Sequence, residues 1–316
     1  MTSEESLASR ALLSALGPPM ERDDSRLARS VSGKIVLITG ASYGQGEATA
    51  KLLAGSGATV VLAARSEERL AEVASEIVTA GGLAHAYQVD LGDMCAVDSF
   101  SERVLADHGR VDVLVHNAGK SLRRTVYRSA ARRSDMDAMV GVNFLGPMRL
   151  TLALLPSMKA NGGAHIVNIA TAGLWMASAA PRWSFYLSTK TGFDTWLRSV
   201  ALEVGADGID VTSIYAGHIK SRMVATEWVA RSPGHTPAQA ARVIGYALTH
   251  RPRTLAPRGM RLMRLLSVAF EAPLGKTMAF LDQRGSETPA SEAAYLRAVA
   301  KEHEASPQLT VTSDHR

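Results

Sequence analysis

The sequence predicts an α/β fold, a doubly wound parallel sheet in a single domain with an extension at each end. Short β-branched runs alternate with longer segments of helical period, the first run ends in a glycine-bearing turn, and the alternation holds from about residue 33 to 256 and then stops. Residues 1–32 precede this domain and are polar, mixed in charge and broken at Gly17-Pro18-Pro19. They read as a tail with one short helix near Leu7–Leu16. Lys34–Thr39 is the first buried strand, followed by a helix to about Ser56. Ala58–Ala64 is the second strand. Ser66 is a suitable N-cap for a helix reaching Ala80, with Glu67 and Glu68 in its first turn. Ala84–Val89 and Val111–His116 are further strands around a helix over 94–108. A long helix runs from Ser134 to Lys159 with a bend expected at Gly146-Pro147. Ala164–Ala170 and Asp210–Tyr215 are the last strands, on either side of a helix over Phe185–Val204. Residues 257–316 depart from the pattern, with an apolar and basic stretch at 258–280 and a polar end.

Bulk properties narrow the function classes. Of 316 residues, 46% are hydrophobic and 21% charged, which allows a sizeable core. No apolar run reaches the roughly 18–20 residues of a membrane span. The opening Met1-Thr2-Ser3-Glu4-Glu5 carries no basic stretch, so no secretory leader is expected and a cytoplasmic location fits. Cys95 is the only cysteine, which excludes an intrachain disulfide or a cysteine zinc cluster, and no metal site is expected. The net charge of +5 permits contact with acidic partners, but no nucleic-acid-binding signature accompanies it, and a phosphorylated cofactor is the favoured explanation.

The turn Thr39-Gly40-Ala41-Ser42-Tyr43-Gly44-Gln45-Gly46 joins the first strand to the first helix. Glycines there let the backbone approach a pyrophosphate, and the helix N-terminus offers free N–H groups to it, as in a Rossmann-type dinucleotide fold. An acid at the end of the second strand would bind an NAD ribose hydroxyl. This sequence has Ala63-Ala64-Arg65-Ser66 instead. The fork of Arg65 suits a 2′-phosphate, so NADP(H) is the expected cofactor. Tyr186 and Lys190 stand at i and i+4 at the start of a helix and share a face. A free tyrosine has a pKa near 10, and a neighbouring ammonium would bring it toward working range as a proton donor or acceptor.

With these features in order, the chain resembles the short-chain dehydrogenase/reductase family. The glycine turn at 39–46, His116-Asn117-Ala118-Gly119, Asp90-Leu91, Asn143 within Val142–Gly146, the strand Ile166–Thr171, and Tyr186 with Lys190 carry the resemblance over about residues 33–225. It implies hydride transfer between a nicotinamide and a carbonyl or alcohol, with Asn143, Thr171, Tyr186 and Lys190 as the catalytic set. By the same resemblance Tyr186 exchanges the proton, Lys190 lowers the tyrosine pKa and holds the ribose, Thr171 bonds the substrate oxygen, and Asn143 anchors a water. Cofactor contacts are implied for Gly40, Ser42, Tyr43, Gly44, Gln45, Gly46, Arg65, Ser66, Asp90, Leu91, Asn117, Ala118, Gly119, Tyr186, Lys190, Gly217 and Ile219. The chain departs from the pattern at Thr171, where serine is usual, at His116, which reads as a packing residue, and at Tyr215-Ala216-Gly217. Ser221 stands near the family's threonine over the nicotinamide. The final Asp-Gly-Gly strand is not evident, and a homo-oligomer, a dimer before a tetramer, is expected through the helices bearing Asn143 and Tyr186.

Two segments bear on the substrate. Lys120–Arg133 holds six basic residues and no acid, and is either a solvated loop or a dock for an acidic substrate group such as a coenzyme A phosphate. The 258–280 stretch is a packed helix, a cover for a hydrophobic pocket, or a peripheral membrane contact. Gly119–Arg124, with Ala241–Ile244 and Arg251-Pro252-Arg253, more loosely resembles the reductase domain of actinobacterial fatty acyl reductases, which implies a lipophilic acyl, aldehyde or ketone substrate. Alcohol oxidation in the reverse direction and a non-catalytic NADP-binding regulator are the alternatives.

Overall fold

A computed structural model describes residues 17–130, 132–176, 180–220 and 234–284, and isolated positions from 292 to 300. In chain order its elements are α1 Asp24–Val31, β1 Ile35–Thr39, α2 Gly44–Gly55, β2 Thr59–Ala64, α3 Glu67–Thr79, β3 Leu83–Gln88, α4 Met94–His108 and β4 Val113–His116. There follow α5 Val126–Ala130, α6 Ser134–Val140, α7 Gly146–Ala160, β5 Ala164–Thr171, α8 Ser184–Val204, β6 Ile209–Ala216, α9 Pro237–His250, β7 Thr254–Leu255, α10 Met260–Ala269 and α11 Glu271–Arg284. The strands form one sheet in the order β3-β2-β1-β4-β5-β6-β7, with every pairing parallel. The doubly wound fold expected from the sequence is the fold observed.

The central strands read as continuous apolar runs because both faces are covered. Val36 and Ile38 of β1 enter one core cluster with Val60, Leu62 and Ile244, while Leu37 between them enters the other with Val61, Leu114 and Phe193. Alternation along each strand thus feeds two layers of helices. The chain winds outward from β1 to β3 and then crosses back to β4 beside β1. Such a reversal opens a crevice at the carboxyl ends of the two central strands, where a ligand can enter.

Three expectations need correction. The tail read over 1–32 contains a core helix at its end. Asp23 caps α1 by accepting a hydrogen bond from the Arg26 N–H, and Leu27 and Val31 are fully buried one turn apart against α2 and α9. Those are the only large apolar residues in a short helix that also carries Asp24, Arg26 and Arg29, which leaves its inner face without a clear pattern. The helix placed near Leu7–Leu16 lies outside the described residues. The bend expected at Gly146-Pro147 is instead a single π turn over Gly141–Leu145 that joins α6 to α7. Pro147 falls in the first turn of α7, where a missing N–H costs little. Gly146 is set by close approach, since a Cβ there would stand 2.0 Å from the Leu91 carbonyl oxygen. Finally, β7 exists without an Asp-Gly-Gly signature. It is two residues long, too short to carry a periodic signal.

Among the described helices, the run Ser134–Ala160 is long and apolar enough to cross a membrane. Here it is a core element, burying Met139, Leu150, Leu154 and Met158.

Leu27→Ala is expected to destabilise the domain by about 2–5 kcal/mol, the cost of a cavity in a packed core. Denaturant midpoints measure it; a loss within the ordinary surface range of about 0.5 kcal/mol would make α1 peripheral.

Candidate active site

A cavity of about 910 Å³ opens along the carboxyl ends of the central strands. At one end it is lined by the turn residues Gly40, Ser42, Tyr43, Gly44, Gln45 and Gly46. Gly40 has φ +69°, and a Cβ on Gly46 would stand 2.2 Å from the Gly40 carbonyl oxygen, so the turn folds flat only with glycine there. Asn117 fixes it from the side: its Nδ2 donates to the carbonyls of Thr39 at 2.9 Å and Gly40 at 3.2 Å. Tyr43 occupies the N-cap of α2 without a side-chain capping bond, so the first N–H groups of that helix are left for a ligand. Glu47 also lines this end, and its carboxylate is held by Lys51 at 2.7 Å and Arg69 at 2.9 Å. A cradle of this shape, closed to any Cβ and rich in donors, fits the pyrophosphate of a dinucleotide.

The adjoining wall carries Arg65, Asp90, Leu91, Asn117, Ala118 and Gly119. Ser66 does not line the cavity. It stands at the N-cap position of α3, one residue beyond Arg65. Lys120 lines the wall too and was read only as part of the basic run. Burial, with Arg65 nearby, holds the Lys120 ammonium below the ordinary lysine value, while Asp90 acts the other way. Two cations and one acid therefore share this wall.

Thr171 ends β5, and Tyr186 and Lys190 lie on successive turns of α8 with all three in the cavity wall. Gly217 and Ile219, after β6, complete this side, and Ser221 lies outside the described residues. The Thr171 hydroxyl shares the cavity wall with the Tyr186 phenol and acts on it. Burial raises the tyrosine above its usual value and Thr171 pulls it back. Lys190 is buried and donates to the Ile169 carbonyl at 3.0 Å, and desolvation brings its ammonium down to about 8. Asp194, one turn further along α8, raises it again. That carboxylate is itself buried, accepting from Ser213 at 2.7 Å and Tyr215 at 2.8 Å and pairing with Arg198 at 3.1 Å. Sequence reading missed Asp194, although its i+4 spacing from Lys190 was visible.

Asn143 sits behind the cavity wall, brought inward by the π turn. Its side chain exchanges two 2.8 Å bonds with the Lys120 backbone and donates to Thr189 at 3.2 Å. The amide is therefore occupied in pinning the segment after β4. His116 is a packing residue, as its sequence context indicated. Thr151 donates its hydroxyl proton to the Pro147 carbonyl, so His116 Nε2 must be the donor in the 2.8 Å contact between them. Full burial drops His116 to about 3, and it remains neutral.

The basic run does not form an acid dock as a whole. Arg124 pairs with buried Asp135, Arg132 lies 3.5 Å from the same carboxylate, and Arg128 pairs with Glu292 at 2.8 Å. Arg123 lies over the Trp183 ring. The far end of the cavity is apolar, with Met176, Trp183, Leu187 and Met278 in its wall. Met278 belongs to α11, so the C-terminal stretch does cover part of a hydrophobic pocket.

The sequence of residues 34–231 matches the short-chain dehydrogenase family model. The chain is 38% identical over 242 residues to a fatty acyl-CoA reductase of Acinetobacter baylyi, covering 76% of this chain and 80% of that one. It is 36% identical over 229 residues to a fatty acyl-CoA reductase of Mycobacterium tuberculosis, covering 72% and 78%. Among solved structures, a metagenomic short-chain oxidoreductase in complex with NADP superposes with a TM-score of 0.61 at 32% identity, over 70% of this chain and 93% of that one. A 3-ketoacyl-(acyl-carrier-protein) reductase from Brucella melitensis complexed with NADH gives 0.63 at 28%, over 71% and 95%. With a nucleotide cradle and a Thr-Tyr-Lys centre on one crevice, the chain belongs to the short-chain dehydrogenase/reductase family and is an oxidoreductase acting on carbonyl or alcohol groups.

Proposed function

We propose that this protein uses NADPH to reduce the carbonyl of a lipophilic substrate, a fatty acyl thioester, aldehyde or ketone. The observation that carries the reading is that Thr171, Tyr186 and buried Lys190 share one cavity wall, between its glycine-turn end and its apolar end. Gly40, Gly46, Arg65, Asp90 and Asn117 would hold the cofactor, which when bound supplies the hydride. A carbonyl oxygen between the two hydroxyls would accept a hydrogen bond from Thr171 and a proton from Tyr186. The raised phenol is well suited to arrive protonated. Lys190, charged at neutral pH, stabilises the phenolate left behind. Arg65 and Lys120 in one wall favour NADP over NAD. Two relatives named as fatty acyl-CoA reductases and the apolar wall of Met176, Trp183, Leu187 and Met278 support a lipophilic substrate. Exposed Leu145, Leu152 and Leu202 support a homodimer through the Ser134–Ala160 run and α8.

NADPH oxidation against a chain-length series of acyl thioesters, aldehydes and ketones tests the reading. Tyr186→Phe should lose at least about a hundredfold in turnover, the usual scale of general acid catalysis. Full turnover in that variant would refute the assignment, and tight NADPH binding with no turnover on any carbonyl would make the protein a sensor.

Arg65→Ala should weaken NADPH about tenfold or more, the loss of one charge-assisted pair, with little change for NADH. Equal loss for both cofactors removes the phosphate role.

Reduction should also decline as pH rises through about 8, where Lys190 gives up its proton. The charged form is present below that pH and lost above it. Asp194→Asn removes the carboxylate that favours the ammonium, so the decline should move to lower pH. A rate profile flat to pH 10, near the ordinary lysine value, would contradict this assignment of Lys190.

A further inference from the structure

Helix α10 stands almost wholly in solvent. Ser267 is its buried residue, with its hydroxyl 3.4 Å from the Trp175 carbonyl, and Met260 packs beside Trp175 and Tyr215. Arg264 lies over the Trp175 ring. Leu262, Met263, Leu265, Leu266 and Val268 are exposed, Leu262 by 61% and Leu265 by 69%. Phe270 follows them, and Phe280 and Leu281 are exposed on α11. Arg258, Arg261 and Arg264 lie in the same stretch, which has no acid before Glu271. A helix held mainly through Met260, Arg264 and Ser267 at Trp175, with leucines outward and only basic charge, is not the outer face of an ordinary packed helix.

We propose that α10, with the exposed apolar residues of α11, docks on an anionic lipid surface. Charge decides the occupant. Two copies meeting symmetrically on this face would bring arginines against arginines. A lipid surface takes the arginines at its phosphates and the leucines between its acyl chains. Position supplies a reason for docking: α11 continues from α10 and sets Met278 into the cavity wall, so the segment that meets the bilayer also borders the apolar end of the active site. That purpose rests on the reading of a lipophilic substrate; the docking itself does not.

Sedimentation of the full chain with phosphatidylcholine vesicles, with and without phosphatidylglycerol, tests it. Binding is expected only to the anionic vesicles and should be lost in high salt. It should weaken about fivefold for each arginine removed in Arg258→Gln and Arg261→Gln, and disappear in Leu262→Gln/Leu265→Gln. Thermal midpoint and turnover of a short soluble ketone should be unchanged in these variants. Binding to neither vesicle, or equally to both, overturns the proposal. A solution dimer that dissociates in Leu262→Gln/Leu265→Gln, with no vesicle binding by the parent protein, assigns the face to a second copy. Vesicle binding that follows the expected pattern while no carbonyl is turned over leaves the docking standing and removes the proposed function.

Discussion

The site depends on keeping an ammonium buried beneath the carboxyl edge of the sheet. Removing a lysine charge from water is costly unless nearby groups compensate. Lys190 meets that cost with the Ile169 carbonyl and with the field of Asp194. Asp194 in turn is held in the interior by Ser213, Tyr215 and Arg198. The chain of contacts links α8 to β5 and β6, so the helix cannot rotate without uncovering two charges. Tyr186 lies on the same face one turn earlier, and its place beside Thr171 follows from that fixed orientation. The pair proposed to transfer the proton is thus located by electrostatics further along the same face of α8.

A second constraint acts at the sheet reversal. The ends of β1 and β4 approach so closely that a Cβ on Gly40 would meet the Ala118 backbone at 2.9 Å. Asn117 spans the gap, and Asn143 secures the segment just after it through the Lys120 backbone. The π turn that presents Asn143 lies directly before the contact of Gly146 with Leu91. The glycine turn, the wall carrying Arg65 and Asp90, and the segment after β4 are therefore neighbours of one tightly packed junction.

This explains which parts could be read from the residues. Apolar runs such as Ile35–Thr39 report burial on both faces, and the glycines report backbone contact, so the sheet and the phosphate turn were legible. Tyr186 and Lys190 share a helix face by spacing alone. Helix α1 was not legible because two buried residues in a charged segment make no pattern, nor was β7, which is defined by its pairing with β6 and not by its own composition. Asp194 was missed for a different reason. Its partners come from β5, β6 and the next turn of α8, and only the fold brings Asn168, Ser213 and Tyr215 to one carboxylate.

The substrate side shows the same limit in its sharpest form. The basic run reads as a charge patch in one dimension, yet in three dimensions much of it is internal scaffolding. Arg124 is buried against Asp135, and its backbone N–H donates to the Arg182 carbonyl. Arg182 adopts φ +68°, a conformation unfavourable for a residue with a Cβ, and binds the Asp282 carboxylate at 2.6 Å and its carbonyl at 3.1 Å. The segment after β4, the approach to α8 and the end of α11 are thereby tied at one residue beside Trp183. Strain of this kind persists only where surrounding contacts outweigh it. Here those contacts hold α11 in place, and α11 carries Met278 to the apolar wall. The pocket that selects a substrate is consequently built from segments distant in sequence, joined by arginines whose composition alone suggested a role in solvent.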